Sequence, residues 1–160
     1  MTTTLSDNFD TVLASPARKE VQIKVRLHEN GYAPISTSNG DWLDLAVPED
    51  IHLSKYEFKI VPLNISIELP PNTEAHIVSR SSTFKRYHVV QANGIGIIDN
   101  SYNGDDDIWC VPLLAMEDTF IPAGTRISQF RIYDVQPKIT MNIVPVLGNE
   151  NRGGFGSTGV

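Results

Sequence analysis

The run Asn93-Gly94-Ile95-Gly96-Ile97-Ile98-Asp99-Asn100-Ser101-Tyr102-Asn103-Gly104 carries an acid and a tyrosine at the end of a glycine-bearing apolar stretch. Gly94 and Gly96 lack the Cβ that would hold a ligand off the main chain, so a planar heterocycle can exchange hydrogen bonds with the backbone there. Asp99 follows at the mouth of this hairpin, where a carboxylate can hold and deprotonate a water. Tyr102 can pack its ring under a sugar. A second chemical stretch is the C-terminal Asn151-Arg152-Gly153-Gly154-Phe155-Gly156-Ser157-Thr158-Gly159-Val160. Its glycines let the amides curl into a nest around an anion, Arg152 adds fixed charge, and Phe155 offers a flat plate to close over a base. Such an arm cannot build a core. On its own it reads as a terminal tail; beside the hairpin it reads as a cover for a ligand held elsewhere.

The elements that must position these groups read as strands. Val21-Gln22-Ile23-Lys24-Val25-Arg26-Leu27 alternates apolar and polar residues, as a strand with one buried face does. Similar short runs span 42–47, 58–63, 65–69, 75–78, 88–91, 108–115, 126–135 and 141–147, punctuated by Pro48, Pro70-Pro71, Asn93-Gly94, Asn103-Gly104 and Pro122-Ala123-Gly124. Pro62 and Pro112 suggest strand ends or edges rather than central pairing. One short helix is expected to start near Ser81–Ser82, since serine caps helices well. Many short strands at regular spacing predict an all-β sandwich or barrel. The chain divides into a loose polar leader at 1–19, an all-β core at 20–147 and the glycine-rich arm at 148–160. Trp42 and Trp109 are expected in the core or at a subunit interface. Arg126 fits two roles equally, a buried ion-pair partner or a substrate ligand.

Composition excludes several classes. The chain has 160 residues and a net charge of −6, which argues against a non-specific nucleic-acid binder, since that needs a basic face. An acidic protein can still hold a polyphosphate where arginines, amides and a divalent cation offset the repulsion. No run reaches membrane-spanning length and no signal pattern is present, so a cytoplasmic protein is expected, in which the Asn64-Ile65-Ser66 sequon has no meaning. Cys110 is the single cysteine, which leaves no disulfide framework or thiolate metal cluster. His28, His52, His76 and His88 are scattered and read as surface or strand residues. Asp105-Asp106-Asp107 reads as a solvated acidic turn rather than a metal site.

Five motifs in order resemble those of the trimeric, all-β dUTP diphosphatase (dUTPase) family, over roughly Val21 to Val160. They are Asp41-Trp42-Leu43-Asp44-Leu45, Ser79-Arg80-Ser81-Ser82, the 93–104 stretch, Gly124-Thr125-Arg126-Ile127-Ser128-Gln129-Phe130 and the C-terminal arm. The run Gly148-Asn149-Glu150-Asn151-Arg152-Gly153-Gly154 looks most like the enzymes of Gram-positive bacteria and their phages. The resemblance implies a jelly-roll-like (β-clip) subunit in a homotrimer that exchanges C-terminal arms, with each site shared between subunits. It implies dUTP as substrate, cleaved to dUMP and diphosphate. Asp99 would be the general base. Asn93, Gly94, Gly96, Ile97, Ile98, Tyr102 and Phe155 would hold base and sugar. Arg80, Ser81, Ser82, Gln129, Arg152, Gly156, Ser157 and Thr158 would hold the phosphates. Mg²⁺ would ride mainly on those phosphates, with Asp44 reaching it through water.

The chain departs from the family pattern at three places. Glu150 occupies the usual arginine position of the last motif, with Arg152 two residues later; Ser101 replaces an acid; and Asp41-Trp42 replaces Ala-Gly. The nearest rival is a dCTP deaminase, which shares the fold and the Arg-Ser-Ser motif. A rival of another class is a regulatory protein that engages a phage or host protein partner, with the leader as one contact surface.

Overall fold

In the computed structural model the described residues are 20–38 and 40–153, so the leader at 1–19 and the end of the arm lie outside them. Twelve strands and one short helix follow in order: β1 Lys24–Leu27, β2 Ile35–Ser36, β3 Leu43–Ala46, β4 Ile51–Leu53, β5 Phe58–Pro62, β6 Ile65–Glu68, β7 Thr73–Ser79, α1 Thr83–Tyr87, β8 Val89–Gln91, β9 Gly96–Ile98, β10 Cys110–Ala115, β11 Thr119–Ile121 and β12 Arg126–Asp134. Every pairing is antiparallel. The largest sheet runs β2-β3-β12-β7-β9, and smaller sheets pair β5-β10-β8, β11-β4 and β1-β6. Strands distant in sequence lie side by side, as in a jelly roll.

The alternation seen in the sequence sets the core. Ala75 and Ile77 of β7, Val111 and Leu113 of β10, and Ile127 and Phe130 of β12 point inward with Leu45, Ile65 and Ile67. Trp109 is fully buried and meets Phe130 edge to face, ring centroids 5.1 Å apart. Trp42 is half-buried. Ile127 and Phe130 are three apart yet both inward, which simple alternation forbids. A bulge between Arg126 and Ser128 opposite β3 resolves this by admitting one extra residue.

Three expectations need correction. The 141–147 run is not a strand: it pairs with nothing among the described residues, and Met141 and Ile143 are 89% and 95% exposed. The last strand ends at Asp134. Pro112 lies within β10, the central strand of its sheet, opposite Ile60. It is tolerated because its carbonyl faces Ala92, just past the end of β8 (N–O 2.9 Å), and the missing N–H falls on that same side, where the ladder has run out. The helix does start where serine suggested, with Ser82 at its N-cap, but the side chain makes no cap bond. Strands β2, β4 and β11, of two or three residues, were too short to show a period.

Candidate active site

Strand β7 organises the chemistry, because both candidate clusters grow from it. At one end the chain leaves Ser79 for Arg80, whose N–H donates to the Ile127 carbonyl at 3.1 Å. The Thr83 hydroxyl donates to the same carbonyl at 2.6 Å, tying the Arg80–Thr83 turn to β12. Asp44, 4% exposed on β3, accepts from Arg80 Nε at 2.9 Å through one oxygen and from Arg126 at 3.0 Å through the other. Arg80 also donates to the Arg126 carbonyl at 3.2 Å. Gln129 stands directly across from Asp44 in register, so the two share a face.

Arg80, Ser82 and Arg126 line a polar cleft of about 240 Å³ with Tyr87, Gly124, Thr125 and Arg86. Three arginines line this cleft while the one carboxylate beside it, Asp44, is engaged by two of them, which suits an anion. Arg86 was not singled out from sequence, because a basic pair on a short helix looks like ordinary surface. Ser81 is exposed beside the cleft. Of the two roles open for Arg126, the ion pair is the one observed.

Along the other edge of β7 lies β9, with Gly96, Ile97 and Ile98 opposite Ile77, His76 and Ala75. β9 ends its sheet, so its far edge is unpaired among the described residues. Gly94 takes φ +66°, a conformation that favours glycine, and the turn closes with Gly94 N–H donating to the Gln91 carbonyl at 3.0 Å. Ile97 is 61% exposed and Ile98 half-buried. Asp99 follows, exposed, with Oδ1 accepting from the Ser101 N–H at 2.7 Å. That backbone bond, and after it the Ser101 hydroxyl, hold the Asp99 carboxyl below the usual aspartate range, against a small opposing effect of burial. Ser101, at the position where the family often has an acid, thus favours the ionised form of Asp99. The Asn100 amide donates to the Leu69 and Pro70 carbonyls at 3.0 and 2.9 Å and pins the turn. Tyr102 donates from its hydroxyl to Ile108 at 3.2 Å. Partial burial, then Asp107 and Cys110, push its pKa up.

The two clusters do not meet within one chain. Asp99 lies one step past the Ile98–Ala75 pair and Arg80 one step past Ser79, so they stand about 20 Å apart at the usual rise of a strand. Arg152 is exposed and joins neither cluster, while Phe155, Gly156, Ser157 and Thr158 lie outside the described residues. The acidic turn behaves as expected: Asp105 and Asp106 sit 3.7 and 3.3 Å from Arg26, and Asp107 accepts from Gly104 N–H. Among the described residues no group of three His, Cys, Asp or Glu can hold a metal. Both Asp44 oxygens are engaged by arginines, so the donor set suits a cation that arrives on a ligand's phosphates rather than a resident one.

The family model described as dUTPase matches residues 32–159. The chain belongs to the dUTPase family. It is 47% identical over 140 residues to the SPbeta prophage-derived deoxyuridine 5'-triphosphate nucleotidohydrolase YosS of Bacillus subtilis, covering 87% of this chain and 99% of that one. It is 31% identical to the Clostridium kluyveri deoxyuridine 5'-triphosphate nucleotidohydrolase, covering 84% and 94%. Among solved structures the Staphylococcus bacteriophage 80alpha dUTPase with dUPNHPP superposes with a TM-score of 0.75 at 20% identity, covering 87% and 99%. The all-β fold expected from strand spacing, and its jelly-roll form implied by the resemblance, is therefore the dUTPase fold, and the likeness to proteins of Gram-positive bacteria and their phages holds.

Proposed function

We propose that this dUTPase-family chain is a dUTP nucleotidohydrolase, converting dUTP and water to dUMP and diphosphate. One observation carries the reading: an exposed carboxylate, hydrogen-bonded by the Ser101 N–H, at the mouth of a glycine-lined hairpin with a free edge. Uracil lies against 93–98 and Tyr102 backs the deoxyribose. Asp99 takes a proton from a water as its oxygen attacks the α-phosphorus, and the bond from that phosphorus to the bridging oxygen breaks. Arg80, Ser81, Ser82 and Gln129 grip the phosphates and stabilise charge on the departing diphosphate. A Mg²⁺ ion brought on the substrate's phosphates, with Asp44 reaching it through water, would supply charge neutralisation there. Phe155 closes over the base and Gly156, Ser157, Thr158 and Arg152 over the phosphates, excluding water.

The 20 Å between Asp99 and Arg80 supports a homotrimer in which one subunit's hairpin faces another's Arg80 cluster. The outward face of the β5-β10-β8 sheet supports it too: Phe58 and Ile60 are exposed beside half-buried Pro112, Leu114 and Val90, a wholly apolar surface that a second copy covers. The lone unpaired cysteine and acidic composition fit a cytoplasmic enzyme. Diphosphate release measured across the four common dNTPs, dUTP and UTP tests the reading. dUTP alone should be turned over efficiently, EDTA should suppress the rate and Mg²⁺ restore it. Ammonia released from dCTP overturns the assignment in favour of a deaminase.

A further inference from the structure

We infer that Gln91 is the positioning residue that gives this site its preference for uracil over cytosine, by fixing which end of the Asn93 amide faces the base; the inference rests on the dUTP reading above. Gln91 is 8% exposed at the end of β8, on the inward phase of a strand whose other inward residue is Val89. Its Nε2 donates to the Ile77 carbonyl at 2.9 Å and to Asn93 Oδ1 at 3.0 Å, with the Gly94 carbonyl at 3.4 Å. Its Oε1 is buried with no partner. Turning the amide over cannot relieve this, since it sets Oε1 against three acceptors. The arrangement sacrifices one buried acceptor to hold a donor toward Asn93.

That donor decides the orientation of Asn93. With Oδ1 engaged by Gln91, Asn93 can present only Nδ2, and this group has no acceptor among the described residues. It lies beside Gly96, where a Cβ would come within 3.3 Å of Nδ2 and 3.7 Å of Gln91 Nε2. The result is a fixed N–H donor at the base slot. Uracil offers a carbonyl oxygen at its 4-position; cytosine offers an amino group, so donor would face donor. A site whose polar group is locked rejects the mismatched partner far better than one that can rotate. Without Gln91 the Asn93 amide can turn and serve either base.

The test uses Gln91→Leu, nearly the same volume without the donor, and Gln91→Glu, which places an acceptor against Asn93 Oδ1. Steady-state kinetics with dUTP and dCTP are read alongside binding of their non-hydrolysable α,β-imido analogues and a thermal melt. For Gln91→Leu the dUTP-over-dCTP ratio of kcat/KM should fall about tenfold or more, mostly through KM for dUTP, with kcat little changed. Gln91→Glu, where it folds, should bind the dCTP analogue better than wild type does. An unchanged ratio in a folded Gln91→Leu enzyme overturns the inference, as does an equal loss on both nucleotides, the mark of a merely structural role. Wild type that turns over no dUTP sinks the enzymatic reading instead.

Discussion

The charge of Asp99 is favoured by a neighbour two residues on. The Ser101 N–H and hydroxyl stabilise the carboxylate, so the folded pKa is depressed. For a depressed acid the stabilisation is present above the unfolded pKa and fades as pH falls through the folded one. The base therefore stays active to lower pH than an ordinary aspartate, and the acid limb of kcat should lie below the usual aspartate range. Ser101→Ala keeps the larger backbone contribution and should move that limb up only slightly; Ser101→Pro removes the N–H as well and should move it further. pH–rate profiles of the three proteins decide this, and an unmoved limb in both variants refutes the coupling. Asp99→Asn keeps the shape and loses the base. Turnover should drop by roughly 10²–10⁴ while binding of the imido analogue survives, checked by single-turnover assay and calorimetry.

β3, β12 and the turn after β7 meet at an ion triad around buried Asp44, and its weight in folding can be measured. Removing Asp44 strands two arginines that share its two oxygens. Asp44→Ala should cost about 2–4 kcal/mol, discounted because both arginine side chains keep some solvent. Urea melts of the variant against wild type read it, and a loss under about 0.5 kcal/mol denies the triad a structural role. The triad also marks where sequence reading stops. Of the eight residue runs from 21–27 to 126–135 that became strands, six were legible because one side is apolar at every second position; 88–91 and 126–135 break that pattern at Gln91 and at the β12 bulge. The 141–147 run has the same pattern but pairs with no strand among the described residues, so alternation promised a strand that is not formed there. The bulge at Ile127 was hidden because one extra residue leaves no mark on composition. Hairpin, acid and Arg-Ser turn were legible as local chemistry. The union of Asp44 with Arg80 and Arg126 was not, since those residues are brought together by strand pairings across 36 and 82 positions of chain. Gln91 did leave a signal, a polar side chain on a buried phase, visible once β8 is given its register.

At the scale of the whole molecule, the proposed site draws on more than one copy of the chain. Residues 135–153 leave the sheets with apolar side chains exposed, so this stretch adds little to the core of its own chain. Deleting 149–160 should abolish most turnover while leaving the melting temperature within a few degrees, about the shift that ~1 kcal/mol produces in a domain of this size. Full activity in the truncated protein removes the arm from the mechanism. The separation of Asp99 from Arg80 permits a stricter test. If each site takes its base from one subunit and its arginine from another, Asp99→Asn and Arg80→Gln damage different halves of it. Each variant alone should be nearly inactive. Refolded together at equal amounts, they assemble mixed oligomers in which some sites pair an intact Asp99 with an intact Arg80. Random mixing makes that about a quarter of all sites, so activity should rise toward that fraction of wild type. A site contained in one chain has no such remedy, because every subunit then carries one of the two lesions and mixing restores nothing. Mixed samples that stay as inactive as their parents, yet elute as oligomers, would falsify the shared site.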